Sequence, residues 1–458
     1  MFFTTSSQQG PRVGLLLNKT PTPTIIRPTV SCGPRFMLQP ERPSLKRSRD
    51  TSTSKTTKST SSSTKTPPEI VSLDLASVST LDTNALHATT TTSNDSRVIA
   101  HYLNHSSRIV LFTSRNLHLA DEASTNKKGL TINTSKGYKY MNGKDYATII
   151  NQCKPDIACA LSSTTFCGAG SKRVRKSVET TIKYLDELTS TLISTAASAS
   201  NASSASSAST LSTTSTTSTT STTSATTSSI PSSSSITSSS SPYIFAAIVG
   251  GVELPRERQR CIEEIMKRSS KSSSIISGYV LAGFSNGESK IQREQVVAET
   301  ITHLPTDAPR MLECVSDVLG ILDAIALGID LISWSYPDAL TDACCAATLF
   351  SIDTNTKNKE STFGNATSSK NATSKICLRD ATYARDTRPL VEGCQCYACR
   401  HHTRAYIHHL VVVHEILGQA LLDAHNWYHG YEWLATIRST ISNNTFDAYN
   451  STFRNNYT

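Results

Sequence analysis

Tyr243-Ile244-Phe245-Ala246-Ala247-Ile248-Val249 is a continuous apolar run without polar alternation. It is short and rich in aromatic and aliphatic residues, and it reads as a strand covered on both faces. The sequence after it repeats this theme. Residues 253–268 carry helical spacing, Ile276–Leu281 is again strand-like, and 290–303 is helical. Arg310–Val315 (strand), 318–327 (helix) and 331–335 (strand) continue the alternation. Buried strands separated by helices imply a parallel sheet clothed in helices. Right-handed crossovers leave two closures, an open doubly wound sheet and a closed (β/α)8 barrel.

Upstream, the pattern is thinner. Residues 109–112 form a short strand candidate, 144–153 a helix and 155–161 a buried strand. In 172–185, Val174, Val178, Ile182 and Leu185 recur at helical spacing. The first turn of that helix carries Lys172, Arg173, Arg175 and Lys176, charges that the helix dipole disfavours there. Either an anion such as an RNA phosphate compensates them or they are a solvated face. Arg12-Val13-Gly14-Leu15-Leu16-Leu17 reads as the first strand.

Three tracts lack the apolar residues a core needs: the basic stretch 41–68, the Ser/Thr/Ala stretch 189–241 and the Ser/Thr/Asn/Lys stretch 353–375. Read as disordered insertions, they divide the folded part into 1–40, 69–188, 242–352 and 376–458. They also explain an apolar fraction of 37%, against roughly 45–50% for an ordinary globular chain. The net charge of +9 permits an acidic partner, although much of the excess lies in the 41–68 tract. Scattered cysteines in apolar runs give no disulfide framework and fit a reducing cytosol. No apolar run reaches the roughly 18 residues of a membrane span.

Near the C-terminus stands Cys394-Gln395-Cys396-Tyr397-Ala398-Cys399, followed by His425 after twenty-five intervening residues. Thiolates with an imidazole suit tetrahedral zinc. A straight helix across the gap would extend about 39 Å, so the chain has to fold back, near Val411-Val412-Val413. The result is a helical hairpin clipped by metal, with Gly418 at a close approach. His429, one turn beyond His425, competes for the fourth place. Four protein ligands leave no open position, so such a zinc is structural.

The stretch Gly393–Cys399, His402 to Leu410 and His425-Asn426 resembles the zinc region of the tRNA-guanine transglycosylase (queuine tRNA-ribosyltransferase) family. Lys172–Val178 and Gly278–Phe284 look like the accessory, non-catalytic subunits of the eukaryotic enzyme. The resemblance implies a (β/α)8 barrel with a zinc-binding helical subdomain and one structural zinc per subunit. It implies a heterodimer with a catalytic homologue, acting on cytosolic tRNA. It further implies a cytoplasmic protein, with peripheral association at the mitochondrial outer membrane.

Catalytic members attack the ribose with an aspartate in a Phe-Asp-Cys-Val-x-Pro-Thr-Arg stretch. The matching segment here is Ile332-Ser333-Trp334-Ser335-Tyr336-Pro337-Asp338-Ala339, with Ser333 at the nucleophile position. A second aspartate belongs to an Asp-Ser-Gly-Gly-Phe-Gln loop, whose counterpart Leu111-Phe112-Thr113-Ser114-Arg115-Asn116 has none. The segment Gly283-Phe284-Ser285-Asn286-Gly287-Glu288 is similar to the family's base-binding loop, which makes Gly283, Gly287 and Glu288 candidate base contacts; a plain turn is the alternative. Candidate tRNA contacts are Lys172, Arg173, Arg175, Lys176, Arg400 and Arg404, the last equally suited to an internal ion pair. The rival readings are an active enzyme with a displaced carboxylate (Asp330 or Asp338) and a zinc-clipped queuine-binding scaffold.

Overall fold

The computed structural model describes residues 3–5, 10–16, 20–28, 70–81, 97–103, 108–114, 125–126, 129–134, 137–208, 241–271, 274–349 and 375–457. The tracts 41–68, 209–240 and 353–374 lie outside the described residues. Eight parallel strands close a barrel. In chain order they are β1 Thr24–Pro28, β2 Ile70–Asp74, β3 Ile109–Thr113, β4 Ile157–Cys159, β5 Tyr243–Ile248, β6 Ile276–Leu281, β7 Arg310–Val315 and β8 Leu331–Trp334. The seam is β8 on β1, with Leu331 opposite Thr24 and Ser333 opposite Ile26. The closed alternative of the two left by the strand pattern is therefore the correct one.

The helices, in chain order, are α1 Leu75–Val78, α2 Val98–Tyr102, α3 Gly143–Cys153, α4 Ser171–Ala208, α5 Pro255–Ser269, α6 Lys290–Thr302, α7 Val318–Ala326 and α8 Tyr336–Asp342. The C-terminal set is α9 Tyr397–His401, α10 Arg404–Val412, α11 Ile416–Ser442 and α12 Phe446–Tyr457. Two sequence expectations need correction. Gly14–Leu16 is not a barrel strand. It pairs antiparallel with Phe3–Thr5 and Thr20–Thr22. The reason is Arg12, whose buried guanidinium ion-pairs with Asp330 and donates to the Thr306 and Ala308 carbonyls. That anchor holds the segment against the N-terminal end of the barrel. The second correction concerns 189–208, expected as disordered, which continues α4. Leu188 and Leu192 extend its buried stripe. Thr191 and Thr195 return their hydroxyls to the carbonyls four residues back, at 2.7 and 2.9 Å.

Two cores result. The larger fills the barrel and its helical layer. The smaller gathers Cys344, Leu378, Leu390, Ile407, Leu410 and Leu421 beneath the C-terminal hairpin. Arg27 of β1 joins the barrel to this region through a buried ion pair with Asp423 of α11, and it lies over the Trp427 ring. The hairpin turns where expected, with His414 in the left-handed region at φ 60°. A Cβ on Gly418 would stand 3.1 Å from Leu410 Cβ and 3.2 Å from the Val411 nitrogen. Gly418→Val is therefore expected to lower stability by roughly 1–3 kcal/mol, read as a reduced denaturation midpoint. An unchanged midpoint would mean that α10 and α11 separate freely.

Candidate metal centre and barrel mouth

The metal-ligating set assembles as the spacing required. The ligand atoms of Cys394, Cys396, Cys399 and His425 all lie within 4.8 Å of one another. His425 Nδ1 stands 3.8, 3.4 and 3.4 Å from the three sulfurs in chain order. A tetrahedral zinc with ordinary bond lengths holds sulfur and nitrogen about 3.5 Å apart, so the set fits the ion. Gly393, at φ 77°, turns the chain into the cluster. Cys396 then caps α9, its sulfur accepting from the Cys399 amide at 3.3 Å. Thiols this close oppose one another electrostatically. Hydrogen bonds with Cys394 and Cys399, and then burial, push the Cys396 thiol far up. Hydrogen bonds from Cys394 and Cys396, and then His425, pull Cys399 far down. A divalent cation resolves that conflict by letting all three ionise.

The imidazole is held from behind. His425 Nε2 donates to the Ala347 carbonyl at 2.9 Å, which fixes Nδ1 toward the sulfurs. Asn426 accepts from the Ala347 amide at 2.8 Å and donates to Cys345 O and Thr341 Oγ1. The two consecutive side chains thus take both ends of one strand residue. His429 is not in the cluster. Its ring stacks on His425 at 5.2 Å, and burial, then His425, lower it to about 3.

The barrel's C-terminal mouth follows from strand alternation. Arg27 points outward to α11, so its register partner Val71 does too. The inward set is then Ile70, Ser72 and Asp74 on β2, Leu111 and Thr113 on β3, Cys159 on β4, Met311 and Glu313 on β7, and Ser333 on β8. Cys159 Sγ meets Met311 Sδ at 3.9 Å from across the barrel, which agrees. Ser333 is fully buried. Thr113 donates to the Leu73 carbonyl, and Asp74 caps α1 by accepting from the Ser77 amide at 2.8 Å.

Neither displaced-carboxylate candidate reaches this mouth. Asp330 precedes β8 at the opposite end, bound to Arg12 and to the Arg310 amide. Asp338 accepts from Trp427 Nε1 at 3.1 Å. The inward carboxylates Asp74 and Glu313 were missed, although alternation within Ile70–Asp74 and Arg310–Val315 was the signal that could have found them.

The glycine-rich loop closes on itself. Glu288 accepts from the Ser285 and Asn286 amides, the latter at 2.9 Å. Gly283 and Gly287 have φ of 86° and 102°, conformations that favour glycine. Arg258 of α5 donates to Gly250 O and Ala282 O and lies over the Phe284 ring, fixing the loop's base.

Among the basic candidates, Lys172, Arg173, Arg175 and Lys176 sit together, exposed, on the first turns of α4. Arg173 covers the Phe166 ring and Arg175 meets Glu179. Arg400 is exposed on α9, apart from that group in the chain. Arg404 faces inward: it binds Asp386 and the Pro389 and Leu390 carbonyls. Arg388 first, and Arg404 with it, hold the Asp386 carboxyl well below the usual range.

No helix among the described residues is long and apolar enough to cross a membrane. Residues 56–458 match the family described as queuine tRNA-ribosyltransferase. Proteins named queuine tRNA-ribosyltransferase accessory subunit 2 are similar. The one from Xenopus tropicalis is 29% identical over 45% of this chain and 53% of its own length. That from Homo sapiens is 31% identical over 43% and 51%, and that from Trichoplax adhaerens 25% identical over 69% and 67%. The protein named queuine tRNA-ribosyltransferase from Natranaerobius thermophilus is 32% identical over 42% of this chain and 47% of its own length. In most of these alignments the chain spans about half the length of the relative. With a closed barrel, a Cys3His cluster on its C-terminal hairpin and a family match over most of its length, the chain belongs to the queuine tRNA-ribosyltransferase family.

Proposed function

We propose that this chain is a non-catalytic subunit of a heterodimeric tRNA-guanine transglycosylase, and that it supports exchange of guanine for queuine at the anticodon wobble position of cytosolic tRNA. The observation that carries this reading is Ser333. It faces the barrel axis at the nucleophile position, and a hydroxyl supplies no carboxylate nucleophile. The counterpart of the second aspartate's loop, Leu111 to Asn116, likewise carries no aspartate. In this reading the catalytic homologue provides both carboxylates and pairs through the zinc-clipped hairpin, whose zinc is structural. Lys172, Arg173, Arg175, Lys176 and Arg400 bind tRNA phosphates. Arg404 serves the fold. The protein is cytoplasmic, with peripheral association at the mitochondrial outer membrane.

The test is reconstitution. Labelled guanine exchange into substrate tRNA is expected only when a catalytic homologue is added, with the chain alone at background. A second reading draws on Asp74 and Glu313, which face the axis and would make the chain an active enzyme with a displaced carboxylate. Robust exchange by the chain alone, abolished by Asp74→Asn or Glu313→Gln, would overturn the accessory reading. No association with and no stimulation of a catalytic homologue would instead favour a queuine-binding scaffold.

A further inference from the structure

Cys345 and Cys377 face each other across the short antiparallel pair Cys345–Ala347 and Lys375–Cys377. The Leu378 amide donates to Cys344 O at 2.9 Å. Residues 344 and 378 therefore take the hydrogen-bonded position, and Cys345 with Cys377 the adjoining non-hydrogen-bonded one. At such a position Cα atoms stand about 4.5 Å apart and side chains lean together. A disulfide spans Cα separations of roughly 4.4–6.8 Å. Both sulfurs approach one atom, the Ala343 carbonyl oxygen, at 3.4 and 3.9 Å. Cys377 is exposed and Cys345 buried, and both are free thiols. Neither belongs to the metal set. Cys344, next in the chain, turns away into the smaller core.

We propose that Cys345 and Cys377 form a reversible dithiol–disulfide site that a peroxide oxidises. In the first step the Cys377 thiolate attacks a peroxide oxygen. The O–O bond breaks, an S–O bond forms, and the departing hydroxide takes a proton to become water, leaving a sulfenic acid. Cys345 then attacks that sulfur. The S–S bond forms, the S–O bond breaks, and the second hydroxide leaves as water with the Cys345 proton. Two thiols have lost two electrons to one peroxide, and a dithiol reductant returns them by exchange. Exposure makes Cys377 the first to react. Burial, which raises Cys345 to about 11, makes it the resolving thiol.

The link would fasten the strand that carries Ala347, the residue gripped by His425 and Asn426. Oxidation is therefore expected to slow zinc release to a chelator several-fold.

The experiment treats the full-length, zinc-loaded chain with near-stoichiometric hydrogen peroxide, alkylates the remaining thiols, and digests without reduction. The expected product joins the Cys345 peptide to the Cys377 peptide, two hydrogens lighter than their sum, and dissolves on adding a dithiol. Cys377→Ser, an exposed change, should abolish it with the circular dichroism spectrum unaltered, and Cys344→Ser should preserve it. Three results would overturn the proposal: full alkylation of both thiols after the peroxide is consumed, a link from Cys345 to any other cysteine, or Cys377 stopping at sulfinic acid beside a free Cys345.

Discussion

Cys396→Ser protein is expected to lose its metal and with it the closure of the C-terminal hairpin. Cys396 is the most buried of the three cluster thiols, and its sulfur also caps α9. Structural zinc binding is worth roughly 10–16 kcal/mol in small peptides, and that free energy is part of folding free energy. Elemental analysis should fall from about one zinc per chain to background. The smaller core around Leu390, Ile407 and Leu421 should melt ahead of the barrel. His429→Gln, by contrast, should keep the zinc, because that ring stacks on His425 outside the cluster. Acidification should mimic Cys396→Ser, since protons compete with the metal for thiolates. Unchanged zinc content in the serine variant would refute the ligand set.

The second large effect is expected at the joint between barrel and hairpin. Asp423→Ala leaves the Arg27 guanidinium buried without its carboxylate, a change that costs about 3–5 kcal/mol. Both side chains are nearly inaccessible, at 9% and 5% exposure for Arg27 and Asp423, so solvent screens the pair little. The double variant Arg27→Met with Asp423→Leu should recover most of the loss, because two apolar groups of similar volume replace the pair. Denaturant midpoints of wild type, Arg27→Met, Asp423→Leu and the double variant form the cycle that measures the pair. A loss below about 1 kcal/mol for the single variant, the range of exposed pairs, would show that Arg27 finds water.

Much of the fold was legible because apolar strands announce themselves. Ile276–Leu281 and Arg310–Val315 have the bounds expected of them, each being a buried run between turn residues. The metal set was legible because few ligand spacings suit a tetrahedral ion. Other features depend on distance in the chain. The pairing of Arg12 with Asp330 bridges 318 positions, and nothing local in Arg12–Leu17 marks it as an anchor rather than a strand. The extension of α4 hid behind composition, because Ser and Thr in 189–208 look like linker until Leu188 and Leu192 are placed on its buried stripe. The inward carboxylates needed register. Alternation groups Asp74 with Ile70 and Ser72, and the outward turn of Arg27, with the Cys159–Met311 contact, tells that this face of β2 is the inner one.

Helix α11 has a consequence for how this protein can change over descent. Asp423 holds the barrel, His425 the metal cluster, Asn426 the short strand pair and Trp427 the helix α8. These grips sit on almost adjacent positions, separated by the helix's own rotation of about 100° per residue. One residue inserted between Ile416 and Asp423 would turn all of them together by that angle and shift them about 1.5 Å. Substitutions can be absorbed one grip at a time, but an insertion or deletion spoils every grip at once. The length of this helix should therefore drift only beyond its last grip on the barrel, while its phase through 423–427 stays fixed.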